Sequence, residues 1–184
     1  MIPICCAFLM GCGEDPMPKP KGYLRLDYPR ATYKKSKANL PFTFQRNTLA
    51  QRIKAIKKIN RSYGAELNYP SLKATLYLTY MPINNNLDSL LRDAQNLTQK
   101  HTVKADAILS KEFINENTNA YGMFYEVEGD AASQAQFYLT DSTSHFLTGA
   151  LYFYAQPNYD SLYPASEYLK KDIVHFMETL NWND

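Results

Sequence analysis

Ser133–Tyr154 reads SQAQFYLTDSTSHFLTGALYFY, and the parsing of this stretch decides the fold. Ala135, Phe137 and Leu139 alternate with Gln134, Gln136 and Tyr138, the period of two expected of a half-buried strand. Asp141-Ser142-Thr143-Ser144 supplies short polar side chains that bond their own backbone, so the chain turns there. From His145 to Tyr154 both strand faces are apolar or aromatic. Leu147, Leu151 and Phe153 share one face; Phe146, Ala150, Tyr152 and Tyr154 share the other. Such a strand belongs in mid-sheet, covered on both sides.

Working outward, Tyr121–Glu128 reads as a strand that Gly129-Asp130 turns into this hairpin, and Ala107–Ile114 reads as another before it. That makes a run of consecutive antiparallel strands. Further upstream, Leu72, Ala74, Leu76, Leu78 and Tyr80 alternate with Lys73, Thr75, Tyr77 and Thr79 in a clean strand. Pro82 and Asn84-Asn85-Asn86 end it and cap a helix whose apolar stripe is Leu87, Leu90, Leu91, Ala94 and Leu97. Asp88 opens that helix while Lys100, His101 and Lys104 lie near its end, complementing the helix dipole. Downstream, a loop at Gln156–Tyr159 precedes a second helix, with Asp160 or Ser161 as cap and Pro164 in the first turn. Its inner face is Leu162, Ala165, Leu169, Ile173, Phe176 and Leu180, and Trp182 pins the chain end.

The segment before residue 67 is less regular. Tyr23, Arg25 and Asp27 alternate with Leu24 and Leu26 as a short edge strand closed by Pro29, and Phe42 with Phe44 forms another. Leu49, Ile53, Ile56 and Ile59 fall near helical spacing, with Arg52, Lys54, Lys57 and Lys58 outside. This predicts a basic helix, lying on a membrane or packed on the sheet with its basic face in water. The expected class is therefore α+β, a central, mainly antiparallel sheet flanked by helices.

At 184 residues the chain fits one domain with an N-terminal extension. Fifteen tyrosines against one tryptophan suit a sheet protein, since the tyrosine ring packs while its hydroxyl reaches water. The formal charge of +2 conceals an asymmetry: residues 12–64 carry 13 Lys and Arg against three acidic residues, and residues 65–184 carry 7 against 15. The basic excess lies in a proline-rich lead and in Arg52–Arg61, with no groove-reading helix, so nucleic acid is not expected as a partner.

Cys5, Cys6 and Cys12 are the only cysteines, which excludes a disulfide framework or a cysteine-based metal site in the folded part. Met1–Gly11 is apolar apart from Pro3 and ends Leu9-Met10-Gly11-Cys12. This resembles the lipobox of bacterial lipoproteins, with a small residue before the cysteine that receives lipid. No Lys or Arg precedes the apolar stretch, so residues 1–11 are expected to be a signal peptide truncated at its start. GEDPMPKPKG follows at residues 13–22. Prolines at every second position extend it to about 30 Å at ~3.1 Å per residue. Lipidated Cys12 and this tether thus form residues 12–22, and residues 23–184 form one globular domain.

Catalytic signals are weak. Asp141, Ser142 and His145 are the residue types of a hydrolase triad, but they crowd one hairpin turn with no nucleophile elbow or glycine-rich oxyanion loop. His101, His145 and His175 lack metal-ligand spacing, and there is no phosphate-cradling glycine loop. No enzyme activity, cofactor or metal is expected. Asp88-Ser89-Leu90, Asp141-Ser142-Thr143 and Asp160-Ser161-Leu162 resemble the acceptor of an O-glycosylation system known in Bacteroidetes, although helix caps and a turn explain all three.

Three blocks, PKPKGYLRLDYP (18–29), LTQKHTVKADAI (97–108) and QFYLTDSTSHFLTGALYFYAQPNYDS (136–161), together resemble the gliding-motility lipoproteins of the GldD type from Bacteroidetes. The resemblance implies an envelope lipoprotein of the gliding apparatus and its coupled type IX secretion system, with lipid on Cys12 and no known catalysis or cofactor. The sheet and terminal helix are also similar to the Mog1/PsbP-like α/β/α sandwich. Two functional readings follow. One is a tethered module, anchored in the outer membrane, that docks on apparatus proteins through Tyr77, Tyr138 and Tyr154, tyrosine being common at interfaces. The other is an envelope ligand-binding or hydrolytic domain with a pocket near Tyr121, His145 and Tyr152.

Overall fold

The computed structural model describes residues 26–57, 61–99, 104–154 and 159–183. The expected signal peptide, Cys12 and the expected tether lie outside the described residues, as do Lys100 and His101. Among the described residues eleven strands and two α-helices follow one another as β1 (Tyr33–Lys35), β2 (Phe42–Thr43), β3 (Gln45–Asn47), β4 (Arg52–Lys57), β5 (Tyr63–Tyr69), β6 (Ala74–Pro82), α1 (Leu87–Gln99), β7 (Ala107–Asn115), β8 (Ala120–Glu128), β9 (Ser133–Thr140), β10 (His145–Phe153), α2 (Tyr159–Glu178) and β11 (Asn181–Trp182). Seven strands form one antiparallel sheet in the order β4-β5-β6-β10-β9-β8-β7. The doubly apolar strand β10 is its centre. The protein is thus α+β, with a mainly antiparallel sheet.

The alternation in β10 sorts the core into two layers. Leu147 and Leu151 join Leu76, Phe137 and Leu139 beneath Leu169, Ile173, Phe176 and Met177 of α2. On the opposite face Phe146 packs with Leu90 and Ala94 of α1. Each helix must bury its apolar stripe, and a central strand apolar on both sides offers both a seat. Gly149 faces the ring of Phe137, where an added Cβ would approach to 2.1 Å, so the close packing under α2 requires a residue without a side chain. At the far end β11 pairs with β2. Trp182 stacks on His145 with centroids 5.1 Å apart and donates its Nε1–H to the Asn119 carbonyl, so the chain end is pinned as expected.

Several expectations are corrected. Arg52–Lys57 is strand β4, not a helix: it pairs with β5 from Arg52 opposite Asn68 to Lys57 opposite Tyr63. Six residues make at most a marginal helix, whereas the open edge of β5 offers a ladder, so pairing overrides the spacing. Of the expected edge strand, Tyr23–Arg25 lie outside the described residues; Leu26–Thr32 carries no strand, and Tyr28 packs its ring on Tyr168 at 5.2 Å. Gln134 and Gln136 do not line a solvated face; both are buried, Gln136 beneath Thr98 of α1 and Gln134 against the β8–β9 turn, where its Nε2 donates to the Gly129 and Ala131 carbonyls. In α1 the third inward residue is Thr98, while Leu97 is 40% exposed. The last helix already begins at Tyr159, which puts Asp160 inside its first turn and Pro164, the sixth residue, in the second.

Candidate functional site

The α1 side of the sheet carries a tyrosine cluster and a cleft. In register, Tyr77 of β6, Ala150 of β10, Gln136 of β9 and Tyr125 of β8 form one row across four strands. Ala150 is the small member of that row, and the larger residues beside it leave a hollow. Thr98 of α1 roofs it, donating its hydroxyl to Gln136 Oε1 at 3.0 Å. The resulting cleft measures about 180 Å³ and also reaches Tyr138, Tyr152 and Thr148. Burial raises the hydroxyls of Tyr125, Tyr138 and Tyr152 above the usual phenol range. At the edge of the cleft, Tyr77 packs edge-on to Tyr152 at 5.8 Å, and its hydroxyl lies 3.2 Å from that of Tyr154, which also bonds Thr75. The bond to Tyr154, with burial second, pushes Tyr77 up to about 12. Tyr77 and Tyr154 are 37% and 58% exposed.

The β9–β10 turn is built on one carboxylate. Asp141 Oδ1 accepts the backbone N–H groups of Thr143, Ser144 and His145 at 3.0, 2.8 and 2.8 Å, and Oδ2 accepts the Thr143 hydroxyl. Partial burial works against the charge, but these donors together outweigh it and hold Asp141 below the usual carboxylate range. The turn allows Ser142 its positive φ of 67°. His145 Nδ1 meets the Tyr80 hydroxyl at 2.8 Å, not Asp141. With Asp141 saturated by the turn, these three residues do not form a nucleophile–base–orienter relay. Ser89, Ser142 and Ser161 are all exposed.

Beneath α2 lies a second polar cluster. Asp172 is buried, and its Oδ1 accepts the Tyr33 hydroxyl at 2.8 Å and Asn47 Nδ2 at 2.9 Å. Burial dominates and raises its carboxyl above the usual range despite these donors. Tyr33 is raised in turn by burial and by this bond, and its ring stacks on His175 at 3.6 Å. Two residues before Asp172, buried Lys170 reaches Glu126 at 3.3 Å and Glu167 at 2.8 Å, and Glu126 also holds Lys111. These contacts tie β1, β3 and β8 to α2 and read as fastening.

The tyrosines singled out from the sequence divide. Tyr77 and Tyr154 meet in the exposed cluster, whereas Tyr138 is stacked on Phe146 under α1 and only borders the cleft. The pocket expected near Tyr121, His145 and Tyr152 is not one pocket. Tyr121 and His145 line a depression with Asp141 and Trp182, while Tyr152 lines the cleft. Seven residues separate His145 from Tyr152, an odd number that puts them on opposite faces about 23 Å apart along the strand. Gln136, the residue sequence reasoning missed, was legible only indirectly: Thr98 interrupts the apolar stripe of α1, and a polar residue at a core position demands a partner on the sheet. Among the described residues no three of His, Cys, Asp and Glu gather as metal ligands, and no helix is long and apolar enough to cross a membrane.

No curated protein and no solved structure matches the chain. The family model for the gliding motility lipoprotein GldD matches residues 13–182, directly after Cys12. With nearly its whole length matched, the chain belongs to the GldD family of gliding motility lipoproteins.

Proposed function

We propose that the protein is a lipid-anchored envelope component that serves gliding motility by docking on other proteins of the motility apparatus and its coupled type IX secretion system, without catalysis. Family membership supports the lipoprotein character and the role in gliding. The observation carrying the docking reading is the cluster of Tyr77, Tyr152 and Tyr154, two of them substantially exposed on a rigid sheet. Rings held by mutual contacts lose little entropy when a partner covers them, which is why tyrosine anchors interfaces. Cys12 is the proposed lipid site, the outer membrane its location, and the two-sided helix cover is compatible with a Mog1/PsbP-like sandwich.

Crosslinking in living cells, followed by purification of a C-terminally tagged copy, tests this reading. Motility or secretion components should be recovered with the wild type and reduced severalfold with Tyr77→Ser combined with Tyr154→Ser. Recovery of the protein alone, or equal recovery with the double variant, would overturn the tyrosine docking surface.

A further inference from the structure

We propose that the basic groove beside the paired strands β1 and β3 is a phosphate-binding site, taking either a free phosphate compound or the phosphate of a lipid headgroup. The groove measures about 430 Å³ and is lined by Lys34, Lys35, Lys37 and Arg46 with Ala38 and Ile53. Lys34 stands directly opposite Arg46 in the β1–β3 register, so both side chains leave the same face of the two-stranded ribbon. Like charges facing each other in this way repel. A neighbouring carboxylate would relieve that repulsion, but no Asp or Glu lines the groove. Among the described residues none of the four cations forms an ion pair with a carboxylate. A bound anion supplies the missing charge.

A ligand can reach all four. Lys34, Lys35 and Lys37 are exposed and Arg46 is half-buried. Arg46 donates through Nη1 to the Ala50 carbonyl, which fixes its guanidinium while the remaining donors stay available. Phosphate suits this donor set: it carries up to two charges on several oxygens and meets a guanidinium fork and ammonium groups at once. A lone carboxylate satisfies the fork and little more. Nucleic acid is disfavoured, because no aromatic residue lines the groove for bases to stack on. Ala38 and Ile53 offer apolar contact to the carbon skeleton beside an esterified phosphate. The site shares no residue with the tyrosine cluster; β1 and β3 are bonded instead to Asp172 of α2, through Tyr33 and Asn47. Only the lipid source rests on the anchor reading above, since β1 is the first strand among the described residues and so the nearest in sequence to Cys12.

The test is an NMR titration of the full chain in neutral detergent, read on the Arg46 Nε–H and the backbone amides of residues 34–37. The probes are inorganic phosphate, glycerol 3-phosphate and short-chain phosphatidylglycerol, with pentaglutamate at matched ionic strength as the acidic-peptide control. A saturable shift with at least one phosphate probe is expected, with pentaglutamate at least ~10-fold weaker. Tighter binding of the lipid than of glycerol 3-phosphate assigns the site to headgroups, and the reverse order assigns it to free phosphate compounds. Lys34→Gln combined with Arg46→Gln should weaken binding at least ~10-fold. Arg46→Lys, which keeps the charge and removes the fork, should weaken it less, and Lys171→Gln on α2 should leave it unchanged. Melting curves establish that the variants fold. No saturable shift with any phosphate probe at high millimolar concentration, equal binding of pentaglutamate, unchanged affinity in the folded double variant, or an equal loss in Lys171→Gln would overturn the proposal.

Discussion

Asp141 shows how one residue sets a turn. Three backbone N–H groups converge on one of its oxygens, and hydrogen bonds to a charged group contribute about 1.5–3 kcal/mol each where well formed. Asp141→Ala should therefore cost about 2–3 kcal/mol in urea unfolding, and Asp141→Asn, which retains an acceptor, about 1 kcal/mol. The pH dependence has a definite sign. The folded value lies below the ordinary 3.8, so the contribution is present above pH 3.8 and is lost as pH falls through the folded value. Asp141→Asn should abolish that acid-side loss. Gly149 acts through space instead: Gly149→Ala drives a methyl into the Phe137 ring and should lower stability by about 1–3 kcal/mol. A variant as stable as wild type would show that the Phe137 ring can move aside.

At the scale of elements, α2 is fastened by charge as well as by apolar packing. Asp172 is the informative residue because its shift runs opposite to that of Asp141. Its folded value is raised above 3.8, so the folded state holds the proton more tightly. The stabilising contribution is complete below pH 3.8 and is lost as pH rises through the raised folded value. Asp172→Asn should lose this decline, so that wild type loses stability relative to the variant as pH rises from 3.8. Unfolding midpoints across a pH series check it, and a difference independent of pH would mean that Asp172 ionises as freely folded as unfolded. The element misread from the sequence, β4, teaches the complementary lesson. Ile53 and Ile56 fit a helix by spacing, yet what decides their conformation is the edge of β5, where they pair with Leu67 and Gly64.

At the scale of the whole molecule, the two faces of the sheet have different duties. The α2 face is closed by a 20-residue helix and the small strands around it, whereas the 13-residue α1 covers only part of the other and leaves the tyrosine cluster and the cleft. The proposed lipid site, Cys12, lies outside the described residues. Cys12→Ala is expected to release the protein from the membrane fraction while the domain folds with an unchanged melting temperature, because each lipid CH₂ removed forfeits about 0.8 kcal/mol of membrane affinity. Retention in membranes after a high-salt wash would show that something other than lipid holds it.

The sequence by itself determined the β9–β10 hairpin, the central position of β10, the strands β6, β7 and β8, both long helices and the family. These follow from local periodicity, turn chemistry and ordered blocks, which depend on neighbours in the chain. It did not determine β4, the burial of Gln134 and Gln136, or the separation of Tyr152 from His145. Those depend on what lies across space: an open strand edge, a helix laid over a face that reads as half-polar, and a residue parity that matters only once both faces are covered. The cleft belongs to this second kind. Ala150, Gln136 and Thr98 are unremarkable in sequence, and only the register of four strands beneath one helix brings them together beside a tyrosine-walled hollow.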